Sequence, residues 1–242
     1  MSHVDTPEQH WGESDLVVHL RFMSGWGREN LTRAAGWISE GVRWRTARSS
    51  SFEILLGRGG PDNVEALLNG AVNIAFTTPM ISATWALTGH APFDRPHPNL
   101  RALAALPHRD RLLFALTPEA ARRYQIETLA DLVAKRPPLR IATGLHDGSN
   151  IIGLTVERTL AAHGMAWDDL TRWGGQWVCS ETPHPAIEYF AHHEVDGLFF
   201  EAITLWQKLL GRRRMRFLAL APEAIPRLRA EGFEFTELEG GE

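Results

Sequence analysis

One short pattern recurs along this chain and limits what it can fold into. An apolar run of strand length ends in a turn of Ser, Thr or Gly, and a stretch with helical periodicity follows. Residues 140 to 150, Arg-Ile-Ala-Thr-Gly-Leu-His-Asp-Gly-Ser-Asn, are its clearest instance. Arg140 to Thr143 read as a strand and Gly144 to Gly148 as a turn. Ser149 and Asn150 open an apolar helix through Ile151, Leu154, Val156 and Leu160. A helix start of this kind points backbone N–H groups outward and favours anions. The stretch predicts a site for a small acidic molecule.

The pattern repeats on both sides of this stretch. Leu16 to Phe22 alternates as a strand and ends at Ser24-Gly25-Trp26-Gly27, before a helix over Glu29 to Ser39. Val42 to Ala47 reads as a second strand, closed by Arg48-Ser49-Ser50-Ser51. Asp62 to Asn69 reads as a helix stopped by Gly70. Val72 to Phe76 reads as a buried strand that ends at Thr77-Thr78-Pro79 and leads into a helix at Ile81 to Leu87. The Pro-rich run from His90 to Asn99 is the strongest internal punctuation. Beyond it, Leu100 to Leu106, Arg111 to Leu116, Trp173 to Val178, Val195 to Phe200 and Met215 to Leu220 read as strands. Glu119 to Tyr124, Thr128 to Lys135, Pro185 to His192, Ala202 to Leu210 and Pro222 to Ala230 read as helices. Thr128 with Asp131 three residues on has the form of a capping box. Strands that alternate with helices imply α/β layering with a mixed, mostly parallel sheet. In open α/β sheets ligands lie beyond the carboxyl ends of the strands, so the four polar turns are placed to converge on one cleft.

Composition narrows the function. Hydrophobic residues make up 44% and charged residues 22%, ordinary for a globular protein, and the net charge of -4 gives no reason to expect nucleic acid as a partner. Cys179 is the sole cysteine, so no intrachain disulfide forms, and a small packing role outweighs a nucleophilic one. The amino terminus lacks the basic start and apolar core of a signal peptide, and no run approaches a membrane span in length. The expected location is cytoplasmic for the chain as it stands, and periplasmic if a leader has been removed. His90, His97 and His108 lack metal-ligand spacing, so no metal is expected, and no cofactor motif is present.

The order of these pieces resembles the TAXI subgroup of TRAP-transporter solute-binding proteins. The segments that carry the resemblance are Ser24-Gly25-Trp26-Gly27, Arg48 to Ser51, Asn63 to Phe76, Asn99 to Leu106, Glu127 to Asp147 and Ala186 to Phe200. They span roughly residues 15 to 240. The resemblance implies a two-lobed, periplasmic-binding-protein-like (type II) α/β fold that closes on a small organic acid or amino acid, with membrane permease subunits as partners. It places a tail at 1–14, lobe one at 15–103, lobe two at 104–216, and a return segment toward lobe one at 217–242. That family continues with a further strand and helix after the point where this chain stops, so a shortened or truncated relative is expected.

Two functions remain open at this stage. As a binding protein, the chain would hold its solute with Ser24, Gly25, Trp26, Ser49, Ser50, Ser51, Thr77 and Thr78 from lobe one. Lobe two would contribute Thr143, Gly144, His146, Ser149, Asn150, Trp177 and Glu201. Ser149 and Asn150 have capping as their alternative role, and Glu201 could instead favour the start of the helix after it. As an enzyme on the same fold, of decarboxylase or dehydratase type, it would use His146, Asp147 and His184 for acid–base work, because a His beside an Asp in a cleft can pass protons.

Overall fold

The computed structural model describes residues 14–25, 30–106, 111–201, 206, 209–211 and 214–236. Trp26, most of the amino-terminal tail, and Ala202 to Leu205 of the helix expected after Glu201 lie outside the described residues. The chain divides between Ala86 and Leu87 into two compact units, ahead of the 103/104 boundary expected from the sequence.

The first unit is built from β1 (His19–Met23), α1 (Asn30–Arg43), β2 (Ser51–Leu55), α2 (Gly60–Leu68), β3 (Ile74–Ala75) and α3 (Ile81–Thr88). Its strands are parallel in the order β2-β1-β3, with Leu20 beside Phe52 and Phe22 beside Ile74. Phe22, Ala35, Val64, Val72, Ile81 and Trp85 form its buried core. Phe22 packs on Phe76 with ring centroids 4.9 Å apart.

Two expected strands are corrected here. Val42 to Ala47 is not a strand. The buried stripe of Ala35 and Ser39 continues to half-buried Val42, so α1 runs on to Arg43. A turn closes it, in which Trp44 N–H donates to Glu40 O at 3.1 Å and Arg45 N–H to Val42 O at 2.9 Å. The second strand is the next alternating run, Ser51–Leu55. A short apolar stretch at a helix end fits either period, and here the helical one wins because it buries Val42 beside residues already inside. Leu100 to Leu106 has no regular structure, and its residues 101–106 are exposed, Leu103 at 78%. Hydrophobicity without a neighbouring strand to pair with does not make a strand.

The second unit contains β4 (Leu113–Leu116), α4 (Pro118–Tyr124), α5 (Leu129–Lys135), β5 (Arg140–Gly144), α6 (Ile151–Ala162) and α7 (Asp169–Arg172). It continues with β6 (Gln176–Ser180), α8 (Pro183–Ala191), β7 (Gly197–Phe200), β8 (Arg216–Phe217) and α9 (Ile225–Ala230). The sheet order is β6-β5-β7-β4-β8. The first three strands are parallel, and β4 runs antiparallel to both β7 and β8. Every residue of β4 and β7 is buried, which explains their unbroken apolar sequence. Phe217, first of the 217–242 segment expected to return toward lobe one, pairs with Ala115 in β8 of this sheet, and α9 packs on α6. His163 joins these parts. Its Nδ1 lies 2.7 Å from Thr159 O and its Nε2 accepts from Ala221 N–H at 2.9 Å, so its ring is a structural link. The molecule is therefore α/β in two lobes, as expected, with the mixed sheet found in the second unit and a sheet that is parallel throughout in the first. No helix among the described residues is long and apolar enough to cross a membrane.

Candidate functional site

In the first unit all three strands run the same way, so their carboxyl ends share one edge. β1 ends at Ser24-Gly25, both buried, β2 at Leu56 to Gly59, and β3 at Phe76 to Thr78. A single side chain ties these ends together. Asn63, 1% exposed in the first turn of α2, donates from Nδ2 to Ser24 O and to Phe76 O, each at 2.8 Å. Its Oδ1 accepts from Gly59 N–H at 3.2 Å. Gly57 exists to make room for it: a Cβ there would lie 2.1 Å from Asn63 Oδ1 and 2.8 Å from Met23 Sδ. Ser24 Oγ and Thr32 Oγ1 are 3.0 Å apart, and Thr77 Oγ1 donates to Gly60 O at 3.4 Å. Arg58, about a quarter exposed, pairs with Asp62 at 3.1 Å. The edge thus carries hydroxyls, a guanidinium and the start of α2, whose cap, Gly59, offers no capping side chain.

Ser49, Ser50 and Ser51 do not belong to this edge. Because the second strand begins at Ser51, these residues precede it, and Ser51 lies beside His19 at the start of β1. They sit at the amino end of the sheet. Sequence reasoning placed them after a strand because it placed the strand one segment too early. The loop that does follow β2, Leu56-Gly57-Arg58-Gly59, was missed together with Asn63. Its signal was present: glycines flanking one Arg, then Pro61 at a helix start.

In the second unit the parallel strands β6, β5 and β7 end at Ser180, Gly144 and Phe200, and antiparallel β4 begins on the same edge, Leu113 beside Phe200. The turn after β5 forms as expected, but it satisfies itself. Asp147 Oδ1 accepts from Ser149 N–H at 3.0 Å, Ser149 Oγ–H at 3.3 Å and Asn150 N–H at 2.8 Å. Asn150, the N-cap of α6, accepts from Ile152 N–H and Gly153 N–H, both at 3.1 Å. These helix-start donors already have acceptors, so an anion would have to displace protein groups. Close packing fixes the turn: a Cβ on Gly144 would meet Asn150 Oδ1 at 2.5 Å, and one on Gly153 would meet Leu145 O at 1.9 Å. Thr143 is fully buried beside Cys179 and Phe199, and its hydroxyl has no hydrogen-bond partner among the described residues.

Two of the acid–base candidates, His146 and Asp147, are engaged elsewhere. His146 Nε2 lies 3.0 Å from Glu157 Oε1, and its ring stacks on Trp167 at 4.2 Å and 10°. Trp167 stacks in turn on Trp177 at 4.4 Å, and Trp177 Nε1–H donates to Trp167 O at 2.9 Å. Trp177 stands mid-strand beside Ile141, so its role in this stack is packing. Asp147 caps its own turn. His184 is exposed on the first turn of α8, after β6. Glu201 follows β7, half-buried, and its backbone oxygen accepts from Trp206 Nε1–H at 2.6 Å. Burial pushes the Cys179 thiol up, opposed by a backbone hydrogen bond from His146, so the thiolate needed for nucleophilic chemistry is disfavoured.

No family model and no curated protein matches the chain. Among solved structures, it is similar to the alkanesulfonate-binding protein SsuA from Xanthomonas axonopodis pv. citri bound to MOPS. The identity is 18%, over 85% of this chain and 62% of that one, with a TM-score of 0.49. This chain thus spans less than two thirds of that protein's length. It is also similar to the GluR0 ligand-binding core from Nostoc punctiforme in complex with (L)-glutamate, at 14% identity, 83% and 78% coverage and a TM-score of 0.45. Iron-bound HitA from Pseudomonas aeruginosa is similar at 14% identity, 85% and 70% coverage and a TM-score of 0.46.

Proposed function

We propose that the chain is a solute-binding protein that takes a small organic acid or amino acid at the carboxyl edge of the first unit's sheet. The observation that carries this reading is the first unit's edge, where Asn63 gathers three strand ends around Ser24, Arg58, Thr77 and Thr78. A guanidinium with hydroxyls at a helix start is the chemistry that recognises a carboxylate. The resemblance to TAXI receptors supports delivery of the solute to membrane permease subunits, with a periplasmic location for the mature protein. The test is a titration with a panel of small organic acids and amino acids, followed by tryptophan fluorescence. Saturable binding that weakens about tenfold in Arg58→Ala and in Thr77→Ala, with the solute recovered unchanged, is the expected result. Native affinity in both variants would overturn the site assignment, and a transformed solute would overturn the function.

A further inference from the structure

An open sheet edge is a row of free N–H and C=O groups that can take up another strand. The two sheets have four edges, β2 and β3 in the first unit, β6 and β8 in the second. Three of them are blunted. β3 and β8 are two residues long, and β8 carries Arg216, about half exposed and paired with Glu127. β2 carries Glu53, paired with Arg21 at 3.1 Å. The fourth is different. β6 is five residues long, Gln176–Ser180, and from Trp173 to Ser180 the chain has no charged residue and no proline. A charge, a proline or a covering segment is the ordinary protection of such an edge.

The ladder with β5 says which groups of β6 are free. Gln176 N–H donates to Leu139 O at 2.9 Å, so Gln176 faces β5, and in a parallel pair alternate residues do so. Gln176, Val178 and Ser180 therefore bond inward. Trp177 and Cys179 turn their N–H and C=O to the open side, and those groups have no hydrogen-bond partner among the described residues. Cys179 is exposed, and Trp177 and Val178 are half-buried. The free groups flank Val178 symmetrically. A second copy of the strand, run antiparallel about a two-fold axis at Val178, sets Trp177 against Cys179 and Cys179 against Trp177. Each such pair exchanges both of its hydrogen bonds, so every free group is satisfied at once. Glu181, the first charge beyond the strand, falls opposite Gly175 of the second copy, so it meets no like charge. This match of the strand with itself singles out a second copy as the occupant.

We propose that β6 is a homodimer interface, in which two copies pair antiparallel through the outward groups of Trp177 and Cys179 and join their five-stranded sheets into one. The interface stands whether or not the first unit's edge binds a solute.

The experiment is analytical ultracentrifugation of the full chain over a range of concentrations under reducing conditions. The native chain forms a dimer. Cys179→Pro removes one outward N–H and leaves the ladder to β5 in place, and Cys179→Lys puts a charge on the edge. Each raises the dimer dissociation constant about tenfold or more. Cross-linking then reads the register. The two Val178 residues form a non-hydrogen-bonded pair, whose Cα atoms lie about 4.5 Å apart, within reach of a disulfide. Val178→Cys in a Cys179→Ser background therefore closes to a covalent dimer on mild oxidation. The two Cys179 residues of the native chain lie diagonally and farther apart, so the native chain does not. A native chain that is monomeric at every concentration overturns the proposal, including one that takes up a strand peptide of another sequence instead. So does a dimer of native strength in either Cys179 variant, and so does failure of the Val178→Cys chain to cross-link.

Discussion

Asn63 in the first unit and Asn150 in the second are both almost fully buried behind the carboxyl edge of a sheet. They use their amides differently. Asn63 reaches Ser24, 39 positions away in sequence, and Phe76, 13 away, and so joins segments that share no local structure. Among the described residues, the Asn150 side chain accepts from Ile152 and Gly153, within the helix it begins. The first edge is assembled by tertiary contacts through one side chain, whereas the second is a turn that completes itself and is then fitted to the sheet. An edge of the first kind depends on one residue. An edge of the second kind spreads its support over Asp147, Asn150, Gly144 and Gly153.

The largest effect that tests this difference is expected from Asn63→Ala. It strands the buried Ser24 carbonyl, the half-buried Phe76 carbonyl and the Gly59 N–H, and each such buried loss costs about 1–3 kcal/mol. The first unit should lose about 3 kcal/mol or more in urea unfolding, with faster hydrogen exchange at residues 20–25 and 74–76. The second unit should be untouched. A loss below about 1 kcal/mol would remove the claim that one amide assembles the edge. Asn150→Ala should cost the second unit less, about 1 kcal/mol, because it removes one N-cap and leaves the Asp147 contacts in place. If Asn150→Ala matched Asn63→Ala, the contrast between the edges would fail.

The same difference explains what could be read in the sequence. The turn from Gly144 to Asn150 was legible because its stabilising groups lie within a few residues of each other, as were Thr128 with Asp131 and the all-apolar β7. Asn63 was legible only as part of a helix start, since its partners are remote and a polar residue at that place ordinarily caps its own helix. The misplaced second strand had a similar origin. Residues 42–47 and 51–55 both alternate, and only the packing of α1 on the sheet decides between them. His146 beside Asp147 suggested acid–base chemistry by adjacency, but neighbours on a turn point apart, and each side chain finds a different partner, Glu157 for one and the turn's own N–H groups for the other.

The smallest expected effect concerns a third local device, the capping box of α5. Thr128 Oγ1 accepts from Asp131 N–H at 3.0 Å, and Asp131 Oδ2 accepts from Thr128 N–H at 2.9 Å and Glu127 N–H at 3.0 Å. The backbone N–H of Glu127 is the main cause that holds the Asp131 carboxyl below its ordinary value of 3.8, with Thr128 and Lys135 adding to it and partial burial opposing. A carboxyl lowered by folding contributes stability that is fully present above its unfolded value and is lost as pH falls through the folded one. The stability difference between the native chain and Asp131→Asn should therefore be constant from neutrality down to about pH 5 and shrink below about pH 4. Thr128→Ala removes the other half of the box, and its cost of about 1 kcal/mol should remain at neutral pH, where Asp131 is charged in both chains. Midpoints of urea unfolding across this pH range read both. A difference for Asp131→Asn that grew toward low pH would mean that the carboxyl favours its neutral form in the folded chain, and the box would then be a poor example of self-sufficient local structure.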